Sequence, residues 1–194
     1  NRSDWVDLLK TRALHGMNRD AWKRYCDEGF KHYQVEYPGF KYNMTDIQAS
    51  MGLHQLRRAE DNLKRRLKLW NQFDAALADL PLQTPSSPAE GETHARHLYT
   101  ILVDEQWGGI DRDALQQELY KRNIGTGIHY VAVHLHPYYE QTWGYKRGDF
   151  PVAEYISNRT LSLPLGVKMS PADVEDVNQA LREVLSPKGQ PSGI

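Results

Sequence analysis

Between residue 3 and about residue 14, Trp5, Leu8 and Leu9 recur at the spacing of an amphipathic helix. His15-Gly16 makes a natural end, because glycine takes the left-handed conformation after a helix. Residues 17–38 lack a clean period and are rich in aromatics, among them Trp22, Tyr25, Phe30, Tyr33 and Tyr37. A short helical turn over 20–27 is expected there, followed by loop or extended chain as far as Pro38. The longest pattern then begins at Thr45, where Gln48 three residues on completes a capping box. Ile47, Met51, Leu56, Leu63, Leu67, Trp70, Phe73, Leu77 and Leu80 continue it at threes and fours to about residue 79, with Arg57, Arg58, Lys64, Arg65 and Lys68 opposite. So long a run predicts a break near Gly52 or around Glu60-Asp61, and Pro81 stops it.

Residues 83–92 carry Pro85, Ser86, Ser87, Pro88 and Gly91, the composition of a linker or long loop. Short elements follow. His97 to Val103 reads as a buried strand, and Asp111 caps a helix through about Arg122, with Ile110 and Leu115 spaced as a hydrophobic staple. Ile124 to Tyr130 reads as the next strand, with Gly125 and Gly127 marking close approach of another backbone or a ligand. After a His- and Pro-rich loop, a helix opens near Phe150-Pro151 and runs to about Asn158, and Leu161 to Leu165 is a short strand. Ser170-Pro171-Ala172-Asp173 starts the last helix, whose buried face is Val174, Val177, Leu181 and Leu185; residues 187–191 are a frayed tail. Strand and helix alternate from 97 to 186, which predicts an α/β or α+β domain.

Composition narrows the function classes. A net charge of −1 over 194 residues leaves no electrostatic footprint for nucleic acid and no polybasic membrane anchor. No apolar run reaches the ~18 residues of a membrane span. The lone Cys26 excludes an intramolecular disulfide, and Asn1 to Trp5 lacks the charged-then-apolar order of a signal segment. A cytoplasmic protein is the expectation. The chain opens without methionine on an apolar helical pattern that has no lead-in, as expected of a piece cut from a longer polypeptide.

Two stretches could carry chemistry. Lys41, Tyr42 and Asn43 approach the helix start at Thr45, where N–H groups and the positive end of the dipole favour an anion. By residue type this is either a phosphate site or an ordinary loop entering a helix. His129, His134 and His136 fall within eight positions. A metal site is one reading, although no cysteine lies nearby and the spacing fits no zinc pattern; histidines satisfied within a loop are the other. Asp46 reads as a charge complementing the helix N-terminus rather than as a catalytic acid.

The run Gly39-Phe40-Lys41-Tyr42-Asn43-Met44-Thr45-Asp46-Ile47-Gln48-Ala49 resembles the G-[YF]-[KN]-Y-[NR]-[ML]-x-D-[IL]-x-A signature of the DegT/DnrJ/StrS sugar aminotransferases. Thr11 to Gly16, Ile128-His129-Tyr130 with His134, Gly144-Tyr145 to Phe150-Pro151, and Leu161 to Leu165 are similar to further family segments, so the likeness covers about residues 5–185. The nearest branch it resembles is the UDP-4-amino-4-deoxy-L-arabinose aminotransferase type.

The resemblance implies an α/β, aspartate-aminotransferase-like fold (PLP fold type I), present as a fragment. Residues 1–45 would end the large cofactor-binding domain, 46–80 form a long connecting helix, 81–186 form the small C-terminal α/β domain, and 187–194 the tail. It implies pyridoxal phosphate as cofactor, and as partners a nucleotide-linked keto-sugar, glutamate and a second copy of the chain, with the active site at the dimer interface. Lys41 and Asn43 would bond the phosphate of the cofactor held by the neighbouring subunit, while His129 and Tyr130 would face the substrate. Asparagine stands at 43 where many relatives carry arginine, which keeps a donor and loses a charge. No catalytic residue is implied within this chain. The family's Schiff-base lysine belongs to an upstream segment, and position 41 tolerates asparagine in the family signature, so Lys41 is not that lysine. The segment around Tyr145, Asp149 and Phe150 is expected to be a loop near the cleft. Two further readings remain: a non-catalytic binding or dimerisation module, and a regulatory relative.

Overall fold

The computed structural model describes residues 2–18 and 33–185. The expected helical turn over 20–27, Cys26, and the tail at 187–191 lie outside the described residues. The chain divides into two compact units, Asn1–Arg58 and Ala59–Ile194.

In the first unit, helix α1 (Asp4–Ala13) closes through His15 and Gly16, both at positive φ (56° and 71°). The returning chain lies along that turn: Glu36 N–H donates to the Gly16 carbonyl (2.8 Å), Phe40 N–H to Arg12 (2.7 Å) and Tyr42 N–H to Ala13 (2.8 Å). A Cβ on Gly16 would collide with the Tyr37 carbonyl and one on Gly39 with the Gly16 amide. These two glycines are therefore required by backbone-to-backbone contact. Helix α2 (Asp46–Arg57) begins at the expected capping box, with Thr45 N–H donating to Gln48 Oε1 (2.9 Å) and Gln48 N–H to Thr45 Oγ1 (3.3 Å).

The predicted apolar faces of both helices are real, but neither helix has a buried residue among the described residues; Ile47 is 75% exposed and Met51 63%. Leu56, on the same stripe, is 71% exposed, so the apolar pattern that the following helix buries runs through α2 on an open face. An apolar stripe states that a face favours a dry neighbour, not which neighbour.

The long pattern over 46–79 is two helices, with the break at Arg58 between α2 and α3 (Ala59–Leu77). Gly52 remains inside α2, and the interruption falls close to the second expected position, Glu60-Asp61. Helix α3 is part of the second unit. Its Leu69, Trp70, Phe73 and Leu77 meet Val174, Val177, Leu181 and Leu185 of α8 (Pro171–Leu185) in one core. Arg182 ties the two ends together, donating to the Ala76 carbonyl (2.6 Å) and to both Asp79 carboxylate oxygens (2.6 and 2.8 Å).

The sheet has three antiparallel strands in the order β1 (Leu82–Gln83), β2 (Tyr99–Val103), β3 (Thr160–Leu163). In β2 Tyr99, Ile101 and Val103 are buried and alternate with half-buried Thr100 and Leu102, so the strand is one-sided where the composition of residues 97–103 predicts full burial. Tyr99 buries its ring between Trp70 and Phe73 and donates its hydroxyl to Asp74 Oδ1 (2.7 Å); burial pushes that hydroxyl's pKa up. Helix α4 (Glu105–Gly108) and β1 escaped the periodicity because each is too short to show one. Asp111 caps α5 (Arg112–Lys121), accepting from Ala114 N–H (2.8 Å), and its Leu115 and Leu119 complete the core.

The strand expected over 124–130 does not form. Only Gly127 pairs, in an isolated bridge to Ser162 of β3, by Gly127 N–H to the Ser162 carbonyl (3.1 Å) and Ser162 N–H to the Gly127 carbonyl (2.7 Å). Glycines at 125 and 127 offer no side chains to pack, and the His129 ring folds back over Gly127, so the ladder cannot extend. The peptide bond between His129 and Tyr130 is cis.

The His- and Pro-rich loop is partly helical, with a 3-10 turn (Val133–Leu135) and α6 (Pro137–Trp143). Helix α7 (Pro151–Arg159) anchors it through polar groups: Ser157 Oγ accepts from Ala132 N–H (2.8 Å), and Glu154 Oε1 bonds His134 Nε2 (2.9 Å) and accepts from Gly148 N–H (2.7 Å). Glu154 and Ser157 are the buried residues of α7, while Val152, Tyr155 and Ile156 are exposed. Among the described residues no helix is long and apolar enough to cross a membrane.

Two outcomes test this packing. Phe73→Ala, at a fully buried position, should cost about 3–5 kcal/mol of unfolding free energy in urea titrations. The Glu154 carboxyl is held below its ordinary pKa first by the His134 bond and then by the Gly148 N–H. The folded protein therefore binds that proton less readily than the unfolded chain. Its contribution is present above the ordinary glutamate pKa of ~4.3 and is lost as pH falls through the lower, folded value. Glu154→Gln should flatten the acid limb of the urea midpoint against pH; an unchanged limb would mean that the pair contributes nothing.

Candidate functional site

The sequence-predicted residues fall in both units. Lys41 and Asn43 lie in the first, on the extended segment entering α2. Its backbone is fixed by the bridge between Leu14 and Lys41 and by the bonds of Phe40 and Tyr42 to the end of α1. The Phe40 and Tyr42 rings stack at 5.0 Å and 4° between planes, which places them on one side. By the alternation of an extended chain, Lys41 and Asn43 take the other side.

The helix end itself is less open to an anion than its residue types suggest. Gln48 N–H is already engaged by Thr45, and Asp46 places a carboxylate in the first turn. Any phosphate here would be met chiefly by the Lys41 ammonium and the Asn43 amide. Both side chains are exposed, and together they supply donors suited to phosphate oxygens. By donor chemistry the segment fits the phosphate of pyridoxal phosphate.

His129 and Tyr130 lie in the second unit, beside β3. His129 Nδ1 is 2.7 Å from Ser162 Oγ, and its ring lies so close over Gly127 that a Cβ there would stand 2.7 Å from Cε1. The ring is half-buried and edge-on to Tyr130 (centroids 4.8 Å apart), and Tyr130 is 72% exposed. Tyr130 therefore lies outside the core of this unit.

The three neighbouring histidines have three different surroundings. His129 meets a hydroxyl, His134 is buried against Glu154 and the Phe150 ring, and His136 is exposed at the start of α6. Among the described residues no three His, Cys, Asp or Glu side chains gather as a metal site would need. The loop at 145–150 is built locally: Asp149 Oδ2 accepts from Lys146 N–H (2.9 Å), and Tyr145 packs on Phe150 at 5.5 Å.

Three polar residues of this region escaped the sequence reading: Ser162, Glu154 and Ser157. Ser162 sits within an apolar strand, where a single serine carries no signal of its partner. Glu154 and Ser157 did leave one, a polar pair at i, i+3 on a helix whose other face is apolar, but that pattern ordinarily marks the solvent side.

Comparisons agree with the resemblance. The model of the DegT/DnrJ/EryC1/StrS aminotransferase family matches residues 4–182. The chain is 45% identical over 182 residues to the uncharacterized protein MJ1066 of Methanocaldococcus jannaschii, covering 93% of this chain and 47% of that protein. It is also 45% identical to the spore coat polysaccharide biosynthesis protein SpsC of Bacillus subtilis, covering 93% and 46%. Among solved structures, Spr1654 of Streptococcus pneumoniae in its PMP-form superposes with a TM-score of 0.79 at 28% identity, over 95% of this chain and 44% of that one. Spr1654 is also known in a PLP-form. This chain thus spans about half the length of the relatives it matches. Aminotransferases of this family depend on pyridoxal phosphate, and the fold found here is part of theirs. The chain belongs to the DegT/DnrJ/EryC1/StrS aminotransferase family.

Proposed function

We propose that this chain is the C-terminal part of a pyridoxal-phosphate-dependent enzyme that moves an amino group from glutamate to a nucleotide-linked keto-sugar for cell-envelope polysaccharide or lipid. The observation that carries the reading is the family match over residues 4–182. The polysaccharide role in the name of SpsC supports a sugar as acceptor. In this reading residues 1–45 end the cofactor-binding domain, the helical stretch over 46–80 connects, and 81–186 form the small domain. The protein acts as a cytoplasmic homodimer.

When bound, the cofactor supplies the electron sink for amino transfer. This chain's own residues bind and orient. Lys41 and Asn43 donate to the phosphate of the cofactor held by the neighbouring subunit, and the stacked Phe40 and Tyr42 hold that segment extended. His129 faces the sugar nucleotide, with Tyr130 beside it, on a ring that Ser162 and Gly127 keep in place. His134 stays out of the chemistry because Glu154 already holds it.

Two experiments test this. The product of the intact gene, given pyridoxal phosphate, glutamate and a UDP-4-keto-sugar, should form the amino sugar detected by mass spectrometry, and His129→Ala should lower kcat/KM by about 10-fold or more. Failure across a panel of nucleotide keto-sugars, with the cofactor loaded, would favour a binding or regulatory relative. Separately, borohydride reduction of the intact gene product, loaded with pyridoxal phosphate and freed of excess cofactor, should fix the cofactor on a lysine other than Lys41. A stable adduct on Lys41 would remove its assignment as a phosphate donor.

A further inference from the structure

Two histidines five residues apart receive opposite treatment. His134 is 6% exposed and bonded to a carboxylate, a partner that accepts from the ring. His129 is given a hydroxyl, which can either donate or accept. Which of these Ser162 does decides what the other ring nitrogen can offer.

The burial of Ser162 answers this. It is 3% exposed, its backbone N–H and C=O are both committed to Gly127, and it lies opposite Thr100 of β2 in the ladder. Among the described residues its hydroxyl has one hydrogen-bond partner, His129 Nδ1. If Nδ1 carried the proton and donated to Oγ, the buried hydroxyl hydrogen would have no acceptor, an arrangement that folded proteins avoid. If Oγ–H donates to Nδ1, both groups are satisfied and the proton of the neutral ring sits on Nε2.

We propose that Ser162 is a positioning residue: its hydroxyl donates to His129 Nδ1, fixes the Nε2–H tautomer, and so makes His129 a hydrogen-bond donor toward an oxygen of the sugar nucleotide rather than a base that takes its proton. The substrate in this statement rests on the function proposed above; the tautomer does not. Gly127 belongs to the same device. A side chain there would meet Cε1 at 2.7 Å and push the ring off Ser162.

Long-range nitrogen–proton correlation spectra of the uniformly labelled 194-residue chain read the tautomer with neither cofactor nor substrate present. At a pH where the ring is neutral, His129 Nδ1 should resonate as the unprotonated nitrogen and Nε2 as the protonated one. Ser162→Ala should shift both toward an averaged mixture, and Ser162→Thr should restore the single form. Gly127→Ala should give the mixture with the hydroxyl still in place, so the comparison survives if Ser162→Ala does not fold. A proton on Nδ1 in the wild type, or an unaltered tautomer in both Ser162→Ala and Gly127→Ala, would overturn the proposal.

In the intact enzyme Ser162→Ala should raise KM for the sugar nucleotide about 5- to 10-fold and leave KM for the amino donor within about two-fold. Unchanged values for both would remove the donor role. A tautomer as stated, in a protein that aminates no sugar nucleotide, would remove the substrate and leave the positioning intact.

Discussion

Ser162 is held from two sides, and the placement of His129 in the second unit depends on that. On one edge it is paired with Thr100 of the central strand, and on the other it exchanges two backbone bonds with Gly127. On the outer edge of β3 the bridge to Gly127 takes up the backbone groups of Ser162. The same contact brings His129, two residues on, against the Ser162 side chain. The position of the imidazole therefore follows from sheet pairing, and the sheet in turn rests on the core of α3, α5 and α8.

Around that point the molecule spends polar groups inside and leaves apolar ones outside. Helix α7 buries Glu154 and Ser157 to hold the His134 loop and turns Val152 and Ile156 outward, while Tyr138 and Trp143 of α6 are exposed as well. In the first unit α1 and α2 likewise expose Trp5, Leu9, Ile47, Met51 and Leu56. Apolar exposure on this scale marks contact surface rather than solvent surface.

Much of this was legible beforehand for physical reasons that can be named. Helix starts at Thr45, Asp111 and Ser170 were readable because capping is local: donor, acceptor and spacing all lie within four residues. The core face of α8 was readable because its period is clean over four turns. The strand over 124–130 was misread because a β-rich composition says nothing about where a ring will fold, and Gly127 serves the ring of His129 rather than a ladder. The break at Arg58 was legible only to within a few residues, because the apolar stripe continues from α2 into α3 without a change of period. His129 stood out through the resemblance, but Ser162 did not. A bond across 33 residues leaves no trace in local pattern.

The proposed function requires that His129 face a sugar nucleotide and that Lys41 and Asn43 face a phosphorylated cofactor. A crystal structure of the intact gene product with pyridoxal phosphate and a UDP-sugar bound tests it most directly. A substrate oxygen should lie within hydrogen-bond reach of His129 Nε2, and cofactor phosphate oxygens within reach of Lys41 Nζ and the Asn43 amide. Ligands bound elsewhere, with His129 facing only protein or solvent, would contradict it.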